Sequence, residues 1–325
     1  MVEATLSAEG LERLRKESLV HRMPAAIFSI AGPGALQCLQ GLLTNDLARA
    51  PEGSLTYGAL LTPKGLIILD CWVIKLADRF LFITDSDAGA VAADLFRKQL
   101  PPRLAKVTDL TGEWQVWRVL GPATPLPPAI VAQRQDNAGS TRTPFTWLVA
   151  GTADDIAHTL KGLALDGART ATDDEWQAAR ILAGWPQLGA EIDEKTLVQE
   201  VRFDENNGVS YEKGCYTGQE TVARLHFRGH TNRDLRGLVW TESQAIPSNT
   251  LGIPSHTPVI LSEAKDRSAD MKVMLGEKEV GSVRSVLSLP TRRLALALIR
   301  REVATGTTVM AGDVPATVVA LPFEA

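Results

Sequence analysis

Cysteine is scarce in this chain. Among 325 residues there are three, Cys38, Cys71 and Cys215, widely spaced and odd in number. They form no Cys-x-x-Cys pair, so the sequence offers neither a disulfide framework nor a ligand set for a zinc ion or an iron–sulfur cluster of its own. Long hydrophobic runs are missing too. Charges interrupt every apolar stretch well short of the roughly 20 residues that a membrane-spanning helix needs, which excludes a membrane partner. Residues 1–23 lack the apolar centre of a secretory signal. Their helical pattern carries Glu3, Glu9, Glu12 and Glu17, more acid than a mitochondrial presequence has. No glycine-rich loop follows a strand pattern, so a dinucleotide-binding fingerprint is excluded. A surplus of positive charge is also absent. The net charge of −4 argues against a general, direct affinity for nucleic acid.

What is present fits a soluble globular protein, with 45% hydrophobic and 22% charged residues. The length exceeds what one compact core accommodates, so two or three domains are expected. Residues 7–18 pattern as an amphipathic helix capped by Ser7. A strand is expected over Ala25–Ile30, then a helix from Gly32-Pro33-Gly34 to about Thr44. Strands over 54–61, 66–76 and 79–84, punctuated by Pro63-Lys64-Gly65 and Ala77-Asp78, read as an antiparallel meander. A helix follows from Asp87 to Leu100, capped by Asp85 or Ser86 and stopped by Pro101-Pro102. Two strands fall within 104–120, and the Pro- and Ala-rich stretch 121–144 reads as a surface excursion. Phe145–Ala150 is a strand, 153–163 a helix, and Asp173–Ala183 a helix capped by Thr172 or Asp173. The mixture lacks a βαβ rhythm and reads as α+β. From Arg233 the texture changes to short alternating runs, 235–241, 258–261, 280–287, 294–299 and 316–321. These predict an antiparallel barrel over 233–325, after an α+β body of 1–232.

The densest chemistry lies in Lys213-Gly214-Cys215-Tyr216-Thr217-Gly218-Gln219-Glu220. The flanking glycines allow tight turns and close approach. A thiol beside Lys213 and Arg224, near a helix start at Thr217, has the surroundings of a nucleophile, a redox centre or a metal ligand. It could equally be a small residue in a tight turn. Gln219 and Glu220 could hydrogen-bond a heterocycle or simply stabilise the helix start. The run Arg224, His226, Arg228, His230, Arg233 and Arg236 contains one acid, Asp234. It suits an anion, or a solvated face with its arginines paired elsewhere. Cys38 and Cys71 sit in apolar runs and read as packing residues. Trp114, Trp117, Trp147, Trp176 and Trp185 read as core or as walls of a groove.

The motif Lys-Gly-Cys-Tyr-x-Gly-Gln-Glu, continued by Ala223 and Arg224, resembles the signature of the YgfZ family. So do Gln40-Gly41-Leu42-Leu43-Thr44-Asn45-Asp46-Leu47 and Thr62-Pro63-Lys64-Gly65 with the apolar strand after it. These are folate-binding proteins of iron–sulfur cluster maintenance, related in fold to the glycine-cleavage aminomethyltransferases. The resemblance implies a GcvT-like body of two intertwined subdomains around a cleft and a C-terminal barrel. It implies tetrahydrofolate or a one-carbon derivative in the cleft, with Asn45, Lys213, Gly214, Tyr216, Gly218, Gln219, Glu220, Arg224 and Arg228 on the ligand side. It further implies iron–sulfur client or assembly proteins as partners, tRNA-modifying enzymes among the clients, and a cytoplasmic location, or the mitochondrial matrix in a eukaryote. Cys215 is the expected working residue.

The aminomethyltransferases carry an acid pair in a Gly-x-Ile-Leu-Asp-Asp element. Here Gly65-Leu66-Ile67-Ile68-Leu69-Asp70 keeps one acid, Asp70, which is either a lone acid/base or a strand residue paired to an arginine. A folate-dependent aminomethyltransferase or demethylase therefore stays open as an alternative, and a tRNA-binding module using the basic run is a further one.

Overall fold

The computed structural model describes residues 1–121, 131–134, 143–162, 168–241 and 271–323. Sixteen strands and six α-helices are described. In chain order they are β1 (Val2–Thr5), α1 (Ala8–Lys16), β2 (Leu19–Met23), β3 (Ala25–Ala31), α2 (Ala35–Gln40), β4 (Ser54–Leu61), β5 (Ile67–Lys75), β6 (Arg79–Asp85), α3 (Gly89–Gln99), β7 (Lys106–Asp109) and β8 (Gln115–Leu120). There follow β9 (Val131–Arg134), β10 (Trp147–Gly151), α4 (Ala153–Gly162), α5 (Asp173–Ala183), α6 (Gln219–Arg228), β11 (Arg233–Thr241), β12 (Lys272–Leu275), β13 (Lys278–Ser288), β14 (Arg292–Arg300), β15 (Thr308–Ala311) and β16 (Val314–Val319). None of the described helices is long and apolar enough to cross a membrane.

The body is built on a nine-stranded sheet in the order β2-β8-β10-β9-β4-β5-β6-β3-β7. β2 lies at one edge and β3 next to the other, yet only Pro24 separates them in sequence. A one-residue link can join them only if the sheet curls until its ends meet. Alternation then sorts the strands. Tyr57, Trp72, Ile83 and Val116 face the concave side, in one core with α5, while Leu69, Cys71 and Phe82 face the opposite side, packed with Phe96 of α3.

The C-terminal unit is a closed six-stranded antiparallel barrel, β13-β12-β15-β16-β11-β14 and back to β13. Closure leaves no barrel edge except where β1 is added parallel to β13, Val2 opposite Ser285. A buried cluster links the barrel to α5. Arg180 donates to Glu191 at 2.8 Å and to Ser285 of β13 at 2.8 Å, and Ser285 donates to Glu191. Losing one member of such a buried charge pair costs about 3–5 kcal/mol.

The α+β class and the C-terminal barrel match the sequence expectation, and so do the meander and the long helices. α5 has the full capping box, Thr172 with Glu175. The helix after Gly34 is shorter than expected, ending at Gln40 rather than Thr44. Leu43 instead bridges to Leu60, and the Thr44 amide donates to the Ala59 carbonyl at 3.0 Å, so sheet pairing pulls the chain out of the helix. The two strands within 104–120 do not pair with each other; β7 adds to β3 and β8 lies between β2 and β10. The stretch 121–144 falls largely, and 258–261 wholly, outside the described residues.

Candidate functional site

The seam where the sheet ends meet holds a cavity of about 360 Å³, bounded by Met23 and Pro24. α5 and the turn after it wall one side with Trp176 and Trp185, β5 supplies Trp72, and β1 closes a margin with Val2 and Glu3. Trp72 and Trp185 stack with centroids 5.6 Å apart. The body sheet supplies four ionisable residues to this aromatic box, Asp70 of β5, Asp85 of β6, Arg118 of β8 and His21 of β2, while Asp173, Asp174 and Arg180 of α5 line it beside Glu3 of β1.

Asp70 accepts a hydrogen bond from the Tyr57 hydroxyl at 2.9 Å. Burial pushes its carboxyl up to about 6, against the pull of that hydrogen bond. Protein surrounds the group, yet it keeps partial exposure because it faces the cavity. Asp85 accepts from the Asp87 amide at 3.1 Å as a cap and also faces the cavity, where burial raises its pKa. Arg118 lies with its guanidinium carbon 3.7 Å from the centroid of the Trp176 ring, and burial lowers it to about 9. His21 stacks on Trp176 at 5.7 Å and meets Asp173 through Nε2 at 3.1 Å. Burial lowers its pKa, so the ring is neutral at physiological pH. A box of flat rings with carboxylates of raised pKa can sandwich a flat heterocycle and accept its N–H groups or exchange a proton with it.

The signature segment forms a second constellation. Lys213 is buried, and its ammonium donates to the carbonyls of Gln40, Leu43 and Asn45 at 2.8, 2.6 and 2.9 Å. Its charge is thus spent on pinning the loop after α2, and burial lowers its pKa to about 8. Tyr216 is buried, with the Lys213 Nζ 5.0 Å from its ring centroid. Gly218 precedes α6 with φ of 83°, and a Cβ there would come within 2.6 Å of the Thr62 carbonyl. Gly65, with the same φ, would drive a Cβ to 2.8 Å from Thr221. The Thr62–Gly65 turn and the start of α6 therefore interlock only through glycine. Gly214, Cys215 and Glu220 are exposed, and Gln219 is half-buried.

The basic run divides. Arg233 pairs with Glu200 at 2.9 Å and Arg236 with Asp234 at 3.2 Å. His226 stacks on Tyr211 at 3.6 Å. Arg224 and Arg228 are exposed, one helical turn apart, with no ion pair to a described residue.

Trp176 and Trp185, which read as core or groove walls, and Cys71, which reads as packing, line the cavity; of the candidate catalytic and ligand-binding residues named from sequence, Asp70 alone does so. Asn45 is buried beside it in the network. Its Nδ2 donates to the Tyr57 carbonyl at 2.8 Å and the Asn207 carbonyl at 2.6 Å. One chain of hydrogen bonds thus runs from Lys213 through Asn45 and the backbone and hydroxyl of Tyr57 to Asp70. Sequence reasoning did not single out His21, Trp72, Asp85 or Arg118 as site residues. The available signal was an ionisable residue at an inward position of an apolar strand, as in Val116-Trp117-Arg118-Val119-Leu120. Cys71 is buried and Cys38 half-buried, both packed against the core on the far side of the sheet.

Residues 18–159 match the family described as the GCVT N-terminal domain. The tRNA-modifying protein YgfZ of Vibrio vulnificus is 27% identical over 237 residues, covering 70% of this chain and 71% of that protein. The mitochondrial iron-sulfur cluster assembly factor IBA57 homolog of Neurospora crassa is 28% identical, covering 95% of this chain and 73% of that protein. The solved glycine cleavage system aminomethyltransferase T of Bartonella henselae superposes with a TM-score of 0.74 at 17% identity, covering 97% of this chain and 89% of that one. This last similarity establishes the GcvT-like fold.

Proposed function

The chain belongs to the YgfZ-type family, and from that premise we propose that it binds tetrahydrofolate or a one-carbon derivative in the concave cavity. In the same proposal it supports the assembly or repair of iron–sulfur clusters in client enzymes, those that modify tRNA included. The names of the relatives support the client side of this reading. The observation that carries the ligand side is the cavity itself, which Trp72, Trp176 and Trp185 line together with Asp70. Stacking walls suit the flat pterin ring. A carboxyl with a pKa of about 6 can accept the ring N–H or give a proton to a ring nitrogen. Cys215 is the exposed thiol that a client or its cluster can reach, as a transient thiolate ligand or a redox partner.

Anaerobic calorimetric titration of the purified chain with tetrahydrofolate tests the ligand side. Saturable one-to-one binding at micromolar concentration is the expected result. Absence of binding would overturn it. One observation keeps aminomethyl transfer as a second reading: although Leu69 turns to the opposite face of the sheet, Asp85 brings a second carboxyl to the cavity from the adjacent strand.

A further inference from the structure

Arg118 is the cavity residue for which the fold supplies least. Its side chain is 8% exposed, and its Nε is buried without a hydrogen-bond partner. No hydrogen bond from its other nitrogens reaches a described residue, and no described carboxylate lies within 4.0 Å of them. Guanidinium carries five N–H donors in a planar fork and stays protonated at physiological pH. A cation held this way inside a protein is costly unless something meets it. The carboxylates whose charge acts on it, Asp85 first and then Asp70, do so without an ion pair. Both line the same cavity as Arg118, so cavity space is open to all three groups. The Trp176 ring holds the guanidinium in a cation–π contact, 3.7 Å from ring centroid to guanidinium carbon. His21, opposite Arg118 in the β2–β8 register, adds a second buried nitrogen without a partner, Nδ1.

A cation and a carboxylate fixed across a gap between aromatic walls form a complementary pair. Together they read a ring edge that presents an oxygen acceptor next to N–H donors. We propose that Arg118 is the specificity-determining residue of the cavity. Its guanidinium takes the exocyclic oxygen of the bound ring, while an Asp70 or Asp85 carboxylate takes the ring N–H and exocyclic amine. The cavity thereby selects an amino-lactam edge, as in a pterin, over a diamino edge in which the oxygen is replaced by an amine. This inference rests on the folate reading of the cavity and assigns the contact that decides among ligands of that shape.

The test is calorimetric titration of the full chain and its Arg118→Met and Arg118→Lys variants. Each is titrated with tetrahydrofolate and with its diamino analogue, alongside thermal unfolding. The wild-type chain should prefer tetrahydrofolate by about tenfold or more, the scale of a hydrogen bond to a charged group. Arg118→Met should lose most of that preference. It should unfold at the same or a higher temperature, because methionine fills similar space and removes an unmatched cation. Arg118→Lys should keep an intermediate preference, since a point charge replaces the fork. If Arg118→Met keeps the wild-type ratio, the inference fails while the folate reading stands. If Arg118→Met unfolds at a clearly lower temperature and Arg118→Lys restores stability without selectivity, Arg118 is structural and the inference also fails. If the wild-type chain binds neither compound, the folate reading falls and takes the inference with it.

Discussion

The cavity and the signature loop solve opposite problems with the same kinds of residue. In the cavity, ionisable groups from two pairs of neighbouring strands, β5–β6 and β2–β8, are held in a poorly solvated space with few partners. Arg118 has no hydrogen bond among the described residues, and the pKa of Asp70 is driven up by burial. In the signature loop the cation is fully employed, with three carbonyls around the Lys213 ammonium, while the thiol beside it is exposed. The first arrangement leaves polar groups without protein partners at a cost in stability, as the proposed ligand site requires. The second spends polar groups on stability in order to present one side chain outward. Unmatched charge suits the cavity to the proposed ligand, and matched charge makes the loop a mount.

The comparison predicts opposite signs for substitutions at the two places, and the largest effect belongs to the loop. Lys213→Met strands three buried carbonyls of the 40–45 segment and should cost about 3 kcal/mol of unfolding free energy. Denaturant unfolding followed by fluorescence measures it. An unchanged midpoint would show that the carbonyls find other donors, and the loop would lose its standing as a mount.

Much of this was legible in the sequence, for physical reasons that also set the limit. Local chemistry identified α5, because Thr172 and Glu175 write a capping box into consecutive residues. It identified the β4–β6 meander through alternation and turn residues, and the signature through its glycines. Five short strands, β1, β2, β9, β12 and β15, escaped, each of only four or five residues, and for the first two the partners are also remote. β1 earns its conformation only by joining β13, nearly the whole chain away. β2 contains His21 and Arg22 and pairs with β8 about 95 residues later. The cavity was half-legible for the same reason. Asp70 stood in a recognisable element, whereas Arg118, His21 and Asp85 each looked like a lone polar residue in a strand, and only curling of the sheet brings them together. Lys213 was placed correctly in the signature, but its burial under the loop after α2 depends on tertiary contacts that no local pattern encodes.

A smaller effect of the other sign is expected in the cavity. The Asp70 carboxyl has its pKa raised in the fold from 3.8 to about 6. Between those values the folded chain holds a proton that the unfolded chain has released, so this group's contribution to stability falls as pH rises through that window. Asp70→Asn removes the ionisation and keeps an acceptor for the Tyr57 hydroxyl. It should stabilise the protein at pH 7 by about 2 kcal/mol, a value discounted for the open cavity side, and have little effect at pH 4. Urea unfolding at the two pH values checks this. Destabilisation at pH 7 would make Asp70 a structural acid and align the cavity with the loop. The same variant decides the second functional reading. If the wild type forms methylene-tetrahydrofolate from an amine donor and the more stable Asp70→Asn does not, aminomethyl transfer is the activity; no turnover by the wild type removes that reading.

Cys215→Ala should have the smallest effect on the fold and the sharpest on function. The side chain is exposed and engages no described residue, so the change in stability should stay within about 0.5 kcal/mol. Tetrahydrofolate affinity should be unaltered, because the cavity lining does not include Cys215. In a strain lacking the protein, this variant should nevertheless fail to restore the activity of iron–sulfur client enzymes. Full restoration would reduce the loop to a structural mount with nothing of chemical use upon it, and the cavity would have to account for the whole function. A loss of folate binding would instead show that the hydrogen-bonded path from Lys213 through Asn45 and Tyr57 to Asp70 couples the two regions, which the opposite design of their charges otherwise keeps apart.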